Sequence, residues 1–394
     1  MTNSRSDNTL PLRDAPRASR SGYIATLDGW RAIAILLVLL QHGQDSFLAA
    51  YPGLPQRPVL GVCGLFGVRI FFGISGYLIT SRILEEIEQR GELSLRGFYI
   101  RRAFRILPPL LLLLLVLGVL GITGVVPIQP LEWLSGVLFF ANWVSKGWYL
   151  GHLWSLAVEE HFYLLWPGLL VAMGTRRGFT IAIVLCPILA VWRLIAWKYH
   201  IYTIAAIYWG RTDIQLDGLL WGSLFAYAHR YYRSKYWTIL QKPAVGNAAI
   251  CLFLVSSQMN RGGYKMGMML YAAQAFLVPI MLIGTAGNPR SSLSTFLEWK
   301  PLKWMGRLSY GMYLWQQMFL SPVHDRSLVL GRLQVWPYNI VCVFLFTVVS
   351  YYFLERRLIR VGHRLANPVS AGRQDAAAQS PIAENTAECS PSKP

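Results

Sequence analysis

Apolar runs of about 20 residues recur along most of the chain, and each is long enough to span a bilayer as a helix. They lie at roughly 25–47, 61–82, 104–126, 152–173, 178–198, 205–228, 243–260, 264–286, 303–322 and 335–355. Another stretch, roughly Leu131 to Val144, is short for a full crossing. The pattern predicts an all-α polytopic membrane helix bundle of about ten transmembrane helices. It shows no internal repeat of the kind many transporters carry.

Lys and Arg set the expected orientation. Arg5, Arg13, Arg17 and Arg20 precede the first run, and Arg90, Arg96, Arg101, Arg102 and Arg105 follow the second. Basic loops are retained in the cytoplasm. If 131–144 crossed, Arg176 and Arg177 would fall outside and every later basic cluster would invert. Read as a re-entrant or interfacial piece, it leaves Arg176/Arg177, Arg230/Arg233/Lys235/Lys242, Arg290/Lys300/Lys303/Arg307 and Arg356/Arg357/Arg360/Arg364 all inside. Ten crossings with both termini cytoplasmic follow. Residues 1–22, polar and Arg-rich, read as a disordered lead rather than a cleaved signal. Residues 23–363 form the membrane domain. Residues 364–394 contain no aromatic residue and read as a disordered tail.

Composition agrees. The chain is 54% hydrophobic and 14% charged, against about 25% charged in a soluble domain, so its polar surface is too small for a globule in water. The net charge of +18 sits in clusters between apolar runs rather than on one amphipathic face, which argues for topology and against nucleic acid. Cys63, Cys186, Cys251, Cys342 and Cys389 show no Cys-x-x-Cys spacing. Four lie in apolar stretches, and they read as small buried hydrophobes rather than as a disulfide framework or zinc site.

Ionisable residues inside apolar runs are costly and mark candidate function. Arg31 and His42 are eleven positions apart, close to three helical turns, and so share a face with ~16 Å between them along the axis. The spacing suits an anionic co-substrate held at the mouth by Arg31, with its reactive end at a buried base. Alternatively, Arg31 snorkels and His42 bonds a neighbouring helix. His152, Ser155, Glu159 and Tyr163 form a polar stripe at i, i+3, i+7 and i+11. By depth, Glu159 reaches the level of His42 and could orient it, or it could cap a helix or pair with Arg. Glu160 turns away and reads as structural. Arg69 and Ser75 lie within the second run among glycines that permit close helix approach. Arg101 and Arg105 share a face and, with Arg102, are either an orientation signal or a phosphate clamp. Arg211, Asp213 and Asp217 read as an internal ion-pair set.

These residues resemble the acyltransferase-3 family of membrane O-acyltransferases. Leu27-Asp28-Gly29-Trp30-Arg31-Ala32 with His42 is similar to its opening Arg-x10-His motif. Gly67-Val68-Arg69-Ile70-Phe71-Phe72 with Ser75-Gly76-Tyr77 resembles its second-helix signature, and Phe98-Tyr99 through Arg105 to Pro108 its Arg-x-x-Arg segment. His152-Leu153-Trp154-Ser155 through Glu159-Glu160-His161-Phe162-Tyr163 resembles its most recognisable stretch, with His161 where Gln is usual. Arg211-Thr212-Asp213 and Leu308-Ser309-Tyr310-Gly311 through Gln316 resemble later segments. Many members carry His at the position of Gln316, so a catalytic histidine there is excluded. The matches run in order from Leu27 to Glu355.

The resemblance implies a stand-alone member that moves an acyl group, most simply acetyl, from cytoplasmic acyl-CoA to a hydroxyl. The acceptor would be a cell-surface polysaccharide, a lipopolysaccharide or a lipid-linked sugar. The expected location is the bacterial cytoplasmic membrane, with no tightly bound cofactor. His42 is expected to be the base or an acyl carrier, oriented by Glu159. Arg31, Arg69, Arg101, Arg102 and Arg105 are expected to hold the CoA phosphates. His152, Ser155, Tyr163, Arg211 and Asp213 are expected to contact substrate or to support the bundle. Two rival readings are a small-metabolite acyltransferase, for example one acting on a macrolide, and a proton-coupled transporter using His42 and Glu159.

Overall fold

The computed structural model describes residues 23–54, 62–144, 147–203, 210–232, 235–259, 264–322 and 329–366. The described residues form helices and loops and contain no strand. The long helices α1 (Ala25–Ala50), α2 (Cys63–Arg90) and α3 (Leu95–Ile122) come first. Three short ones follow: α4 (Pro130–Val137), α5 (Ala141–Val144) and α6 (Trp148–Gly151). Then come α7 (Leu153–Met173), α8 (Thr175–Lys198), α9 (Thr212–Gln215) and α10 (Asp217–Tyr231). The next are α11 (Lys235–Leu240), α12 (Pro243–Met259), α13 (Tyr264–Ala286) and α14 (Ser292–Leu297). The chain finishes with α15 (Lys300–Phe319), α16 (Tyr338–Ser350), a π-helical turn at Tyr351–Glu355, and α17 (Arg356–Ala366).

α2 is the central element. It packs against α1 on one side and α10 on another, and α1 in turn packs against α15. Small residues make these crossings close. A Cβ at Gly76 would collide with the Leu219 carbonyl, and one at Gly222 with the Gly73 carbonyl, so α2 and α10 meet backbone to backbone. The outer helices turn apolar side chains outward, including Leu111, Leu115 and Val119 on α3 and Ile183, Val184, Ile188 and Val191 on α8. Such a belt suits a lipid environment rather than water.

Five described segments are long and apolar enough to cross a membrane: α1, α2, α3, α8 and the continuous stretch Tyr338–Ala366. The protein is thus a multi-pass helical membrane protein; ten crossings remains an expectation from the apolar runs. α7 and α15, though 21 and 20 residues long, are not among the five. Their sequences explain why. α15 carries Lys300, Lys303, Arg307, Gln316 and Gln317, and α7 carries Glu159, Glu160 and His161, which lowers the hydropathy of both. Each still buries a long stretch, nearly all of Leu308 to Phe319 in α15 and Leu153 to Val158 in α7. A helix surrounded by other helices need not be apolar all round, and these two carry the polar stripes.

The helices depart from the expected runs in several places. α3 begins at Leu95, nine residues before the apolar run, because the Ser94 hydroxyl accepts from the Gly97 amide and caps it. Arg101, Arg102 and Arg105 are therefore helical. The run at 205–228 is represented by α9 and α10, and residues 204–209 lie outside the described ones. The stretch 131–144 is not one helix but α4 and α5, broken where Phe139 takes a positive φ of 57°. The Trp133 indole donates to the Leu114 carbonyl and pins α4 to α3. α17 runs to Ala366, three residues into the expected tail; residues 1–22 and 367–394, Cys389 among them, lie outside the described residues. Cys63 and Cys186 are buried, while Cys251 is exposed and Cys342 intermediate, so two of the four described cysteines are not buried as expected.

Candidate active site

Two cavities lie back to back inside the bundle. The first, of about 530 Å³, is lined by Gln41, His42, Trp148, His152, Trp154 and Gln317 among others. The second, of about 100 Å³, is lined by Arg31, Arg102, Arg105, Ser75, Glu159 and Tyr163 among others. Val68 of α2 and Tyr313 of α15 line both and form the partition.

In the histidine cavity, His42 Nδ1 lies 2.7 Å from Gln316 Oε1. Its ring stands edge-on to Trp148, 5.6 Å between centroids. Trp148 is fixed because its indole N–H donates to the Gln317 carbonyl at 2.8 Å. Gln41, next to His42, accepts from the Gly64 amide at 2.8 Å and so satisfies one of the open donors at the start of α2. A carboxamide oxygen only accepts, so with this amide orientation the His42 proton sits on Nδ1 and Nε2 is the open base.

In the arginine cavity, Asp28 Oδ1 pairs with Arg31 at 3.3 Å, and Asp28 Oδ2 accepts from Tyr23 at 2.7 Å. Arg102 stacks on the Tyr163 ring at 4.5 Å. Both Glu159 oxygens are occupied: Oε1 accepts from Ser75 at 3.1 Å and Oε2 from Tyr163 at 2.9 Å. Three guanidinium groups around one space match an anion bearing several phosphates.

Tyr313 of the partition is tied to the start of α7 by two hydrogen bonds. The Tyr313 hydroxyl donates to the His152 carbonyl at 2.7 Å. Having spent its one proton there, it accepts from Ser155 at 2.6 Å. The stripe His152, Ser155, Glu159, Tyr163 thus runs along α7 from the histidine cavity past the partition into the arginine cavity.

This geometry corrects several expectations. Glu159 does not meet His42. Helical rise gives depth along the axis and not azimuth, and Glu159 and His42 line different cavities that share Val68 and Tyr313. The group that meets His42 is Gln316. Arg69 lines neither cavity: it is buried, bonds Gln274 and lies over the Tyr271 ring at 4.3 Å. Arg101 pairs with Glu86 at 2.7 Å, while Arg102 and Arg105 are the ones that line the space. Arg211 does pair with Asp213, at 3.0 Å, as the ion-pair reading expected, and packs over Trp143 and Tyr202. Asp217 pairs with Arg193 at 2.7 Å rather than with Arg211. Arg193 escaped the sequence reading, although the rule that flagged Arg69, an ionisable group within an apolar run, applies to it equally. Gln317 and Trp148 also escaped it, and Tyr313 figured only within the Leu308–Gln316 segment, since neutral residues carry no such signal. Among the described residues no cluster of His, Cys, Asp or Glu could hold a metal ion.

The site is thus a helical bundle in which an arginine-lined space abuts a histidine-lined one. The acyltransferase domain model matches residues 24–355, and the chain belongs to that acyltransferase family. Over 383 residues it is 27% identical to the peptidoglycan O-acetyltransferase OatA of Listeria monocytogenes, covering 89% of this chain and 58% of that protein. It is 27% identical over 384 residues to a putative O-acetyltransferase of Staphylococcus aureus, covering 88% of this chain and 59% of the other. The O-acetyltransferase OatA of Staphylococcus aureus is 26% identical over 374 residues, covering 87% of this chain and 58% of that protein. The chain thus spans under three-fifths of the length of these curated relatives. No solved structure matches it.

Proposed function

We propose that this acyltransferase moves an acyl group, most simply acetyl, from acyl-CoA to a hydroxyl of a cell-envelope glycan or its lipid-linked precursor. The observation that carries the reading is the pair of cavities sharing Val68 and Tyr313. Arg31, Arg102 and Arg105 hold the donor's phosphates from the cytoplasmic side of the bacterial inner membrane. The acyl end reaches past the partition toward His42, ~16 Å from Arg31 along α1. The names of the relatives, peptidoglycan O-acetyltransferase among them, support a glycan acceptor.

The chemistry follows from the tautomer. His42 Nε2 takes the proton of the acceptor hydroxyl as its oxygen attacks the thioester carbonyl. The tetrahedral intermediate collapses to the ester, and the departing thiolate leaves with that proton as free CoA. Gln316 keeps the ring in the orientation and tautomer that make Nε2 the base.

The test is mass spectrometry of envelope glycans from a strain lacking the gene, complemented with wild type or His42→Ala. Loss of an acetyl-sized increment restored only by wild type is the expected result. An unchanged glycan sinks the acceptor assignment, and full restoration by His42→Ala sinks the mechanism.

A further inference from the structure

The reading above uses one imidazole of the histidine cavity, yet the cavity has two. His152 is only 3% exposed and lines the same space. Its Nδ1 lies 2.7 Å from Gln317 Oε1, and its own backbone N–H donates to that same oxygen at 3.0 Å. The backbone donor settles the amide orientation, because an N–H does not donate to an NH₂. The oxygen therefore faces Nδ1, the proton of the neutral ring sits on Nδ1, and Nε2 is a bare acceptor. Nε2 is buried and has no hydrogen-bond partner among the described residues. A buried acceptor without a donor is costly and rare in a native structure.

His42 repeats the arrangement on the neighbouring glutamine, Gln316. Two successive residues of α15 thus each hold one ring, and both imidazoles line the same cavity. The complement of two imidazole acceptors is a molecule bringing two donors. The rest of the wall fits a small ring with hydroxyls: Trp148 and Trp154 offer aromatic faces, and Gln41 and Gln317 add polar edges. A volume of about 530 Å³ falls in the range of ordinary ligand pockets.

We propose that His152 is a positioning residue for the acceptor, accepting a hydrogen bond at Nε2 from a second hydroxyl while His42 deprotonates the first. The cavity then selects a polyol, such as a sugar ring, over a simple alcohol. The inference rests on the acyl-transfer reading and assigns the acceptor side of that same site. It adds no covalent step, since the proton on the second hydroxyl stays there.

The experiment uses the purified full chain in lipid nanodiscs, acetyl-CoA as donor, and octyl β-glucoside with its monodeoxy analogues as acceptors. For wild type, removing the acylated hydroxyl abolishes transfer. Removing the partner hydroxyl lowers kcat/KM by about ten- to a hundredfold. The variant His152→Asn keeps a donor for Gln317 but lacks Nε2. It is expected to lower kcat/KM for the parent glucoside by a similar factor and to bring the parent and that deoxy analogue within about threefold of each other. Persistence of the wild-type ratio in His152→Asn overturns the proposal. So does a wild-type profile in which only the acylated hydroxyl matters, a result that needs no variant to fold. Absence of transfer to every acceptor by wild type overturns the acyl-transfer reading itself, and the proposal falls with it.

Discussion

The bundle buries charged and titratable groups in two kinds of place, and the difference separates chemistry from scaffolding. Around the partition, Arg31, Arg102, His42 and His152 border open space, and His152 Nε2 is unsatisfied. Between α2, α8, α10 and α13 the charges pair with one another away from both cavities instead, although Arg193 Nη1 and Asp217 Oδ2 are themselves left without a partner among the described residues. Arg193 bonds Asp217 at 2.7 Å and the Ile214 carbonyl at 2.6 Å, and both Arg69 and Arg193 stack on Tyr271. That second cluster holds four helices together and lines neither described cavity of the site. An intramembrane charge is thus a functional candidate only once the space beside it is known.

The largest expected contrast is in activity. On the proposed mechanism His42→Ala lowers kcat by about 10²–10⁴-fold while the thermal midpoint of the purified protein stays near wild type. Free-thiol release from acetyl-CoA measures the first and a melting curve the second. A midpoint that collapses along with activity would move His42 to the scaffold side of the comparison. The closed cluster should behave in the opposite way. Asp217→Ala strands Arg193, which is 1% exposed, and is expected to cost about 3–5 kcal/mol of stability. Replacing both partners together, Arg193→Met with Asp217→Leu, should recover most of that loss. Activity per folded molecule should then remain within a fewfold of wild type. A large loss of activity in the folded double variant would show that this cluster serves the reaction.

Much of the helical framework was legible because apolar runs report membrane helices directly. The buried helices α7 and α15 remained legible only because their runs are interrupted, not abolished, by polar residues. The polar stripe on α7 was also legible, since helical periodicity places His152, Ser155, Glu159 and Tyr163 on one face. What periodicity omits is the neighbour that each face meets. Glu159 and His42 were matched by depth, yet Ser75 and Tyr163 occupy the carboxylate, and Gln316, read only as a position where many relatives carry His, turns out to bond His42. Arg69 illustrates the same limit: its place in a glycine-rich helix was readable, but its stacking on Tyr271 of α13 depends on long-range packing.

A smaller effect distinguishes the arginines. Arg102→Ala should raise KM for the acyl-CoA donor by about ten- to a hundredfold, the worth of a hydrogen bond to a charged group. Arg101→Ala should change it by less than about threefold, because that side chain is paired with Glu86 and its partially exposed ion pair is weak. Titrating the donor at saturating acceptor separates the two. Equal effects would mean that the phosphate-binding face of α3 is broader than the cavity lining indicates.

The smallest effect tests the orienting glutamine. Gln316→Leu keeps the volume of the side chain but removes the acceptor for His42 Nδ1. The ring is then free to flip and to carry its proton on either nitrogen, so only a fraction of molecules present Nε2 as the base. Losing one neutral hydrogen bond of this kind corresponds to about two- to tenfold in kcat, with KM for the donor unchanged because the arginines are untouched. Gln316→Glu, which restores an acceptor, should return kcat toward the wild-type value. A Leu variant with wild-type kcat would leave His42 oriented by its packing against Trp148 alone, and the glutamine would then join Arg69 and Asp217 as part of the frame.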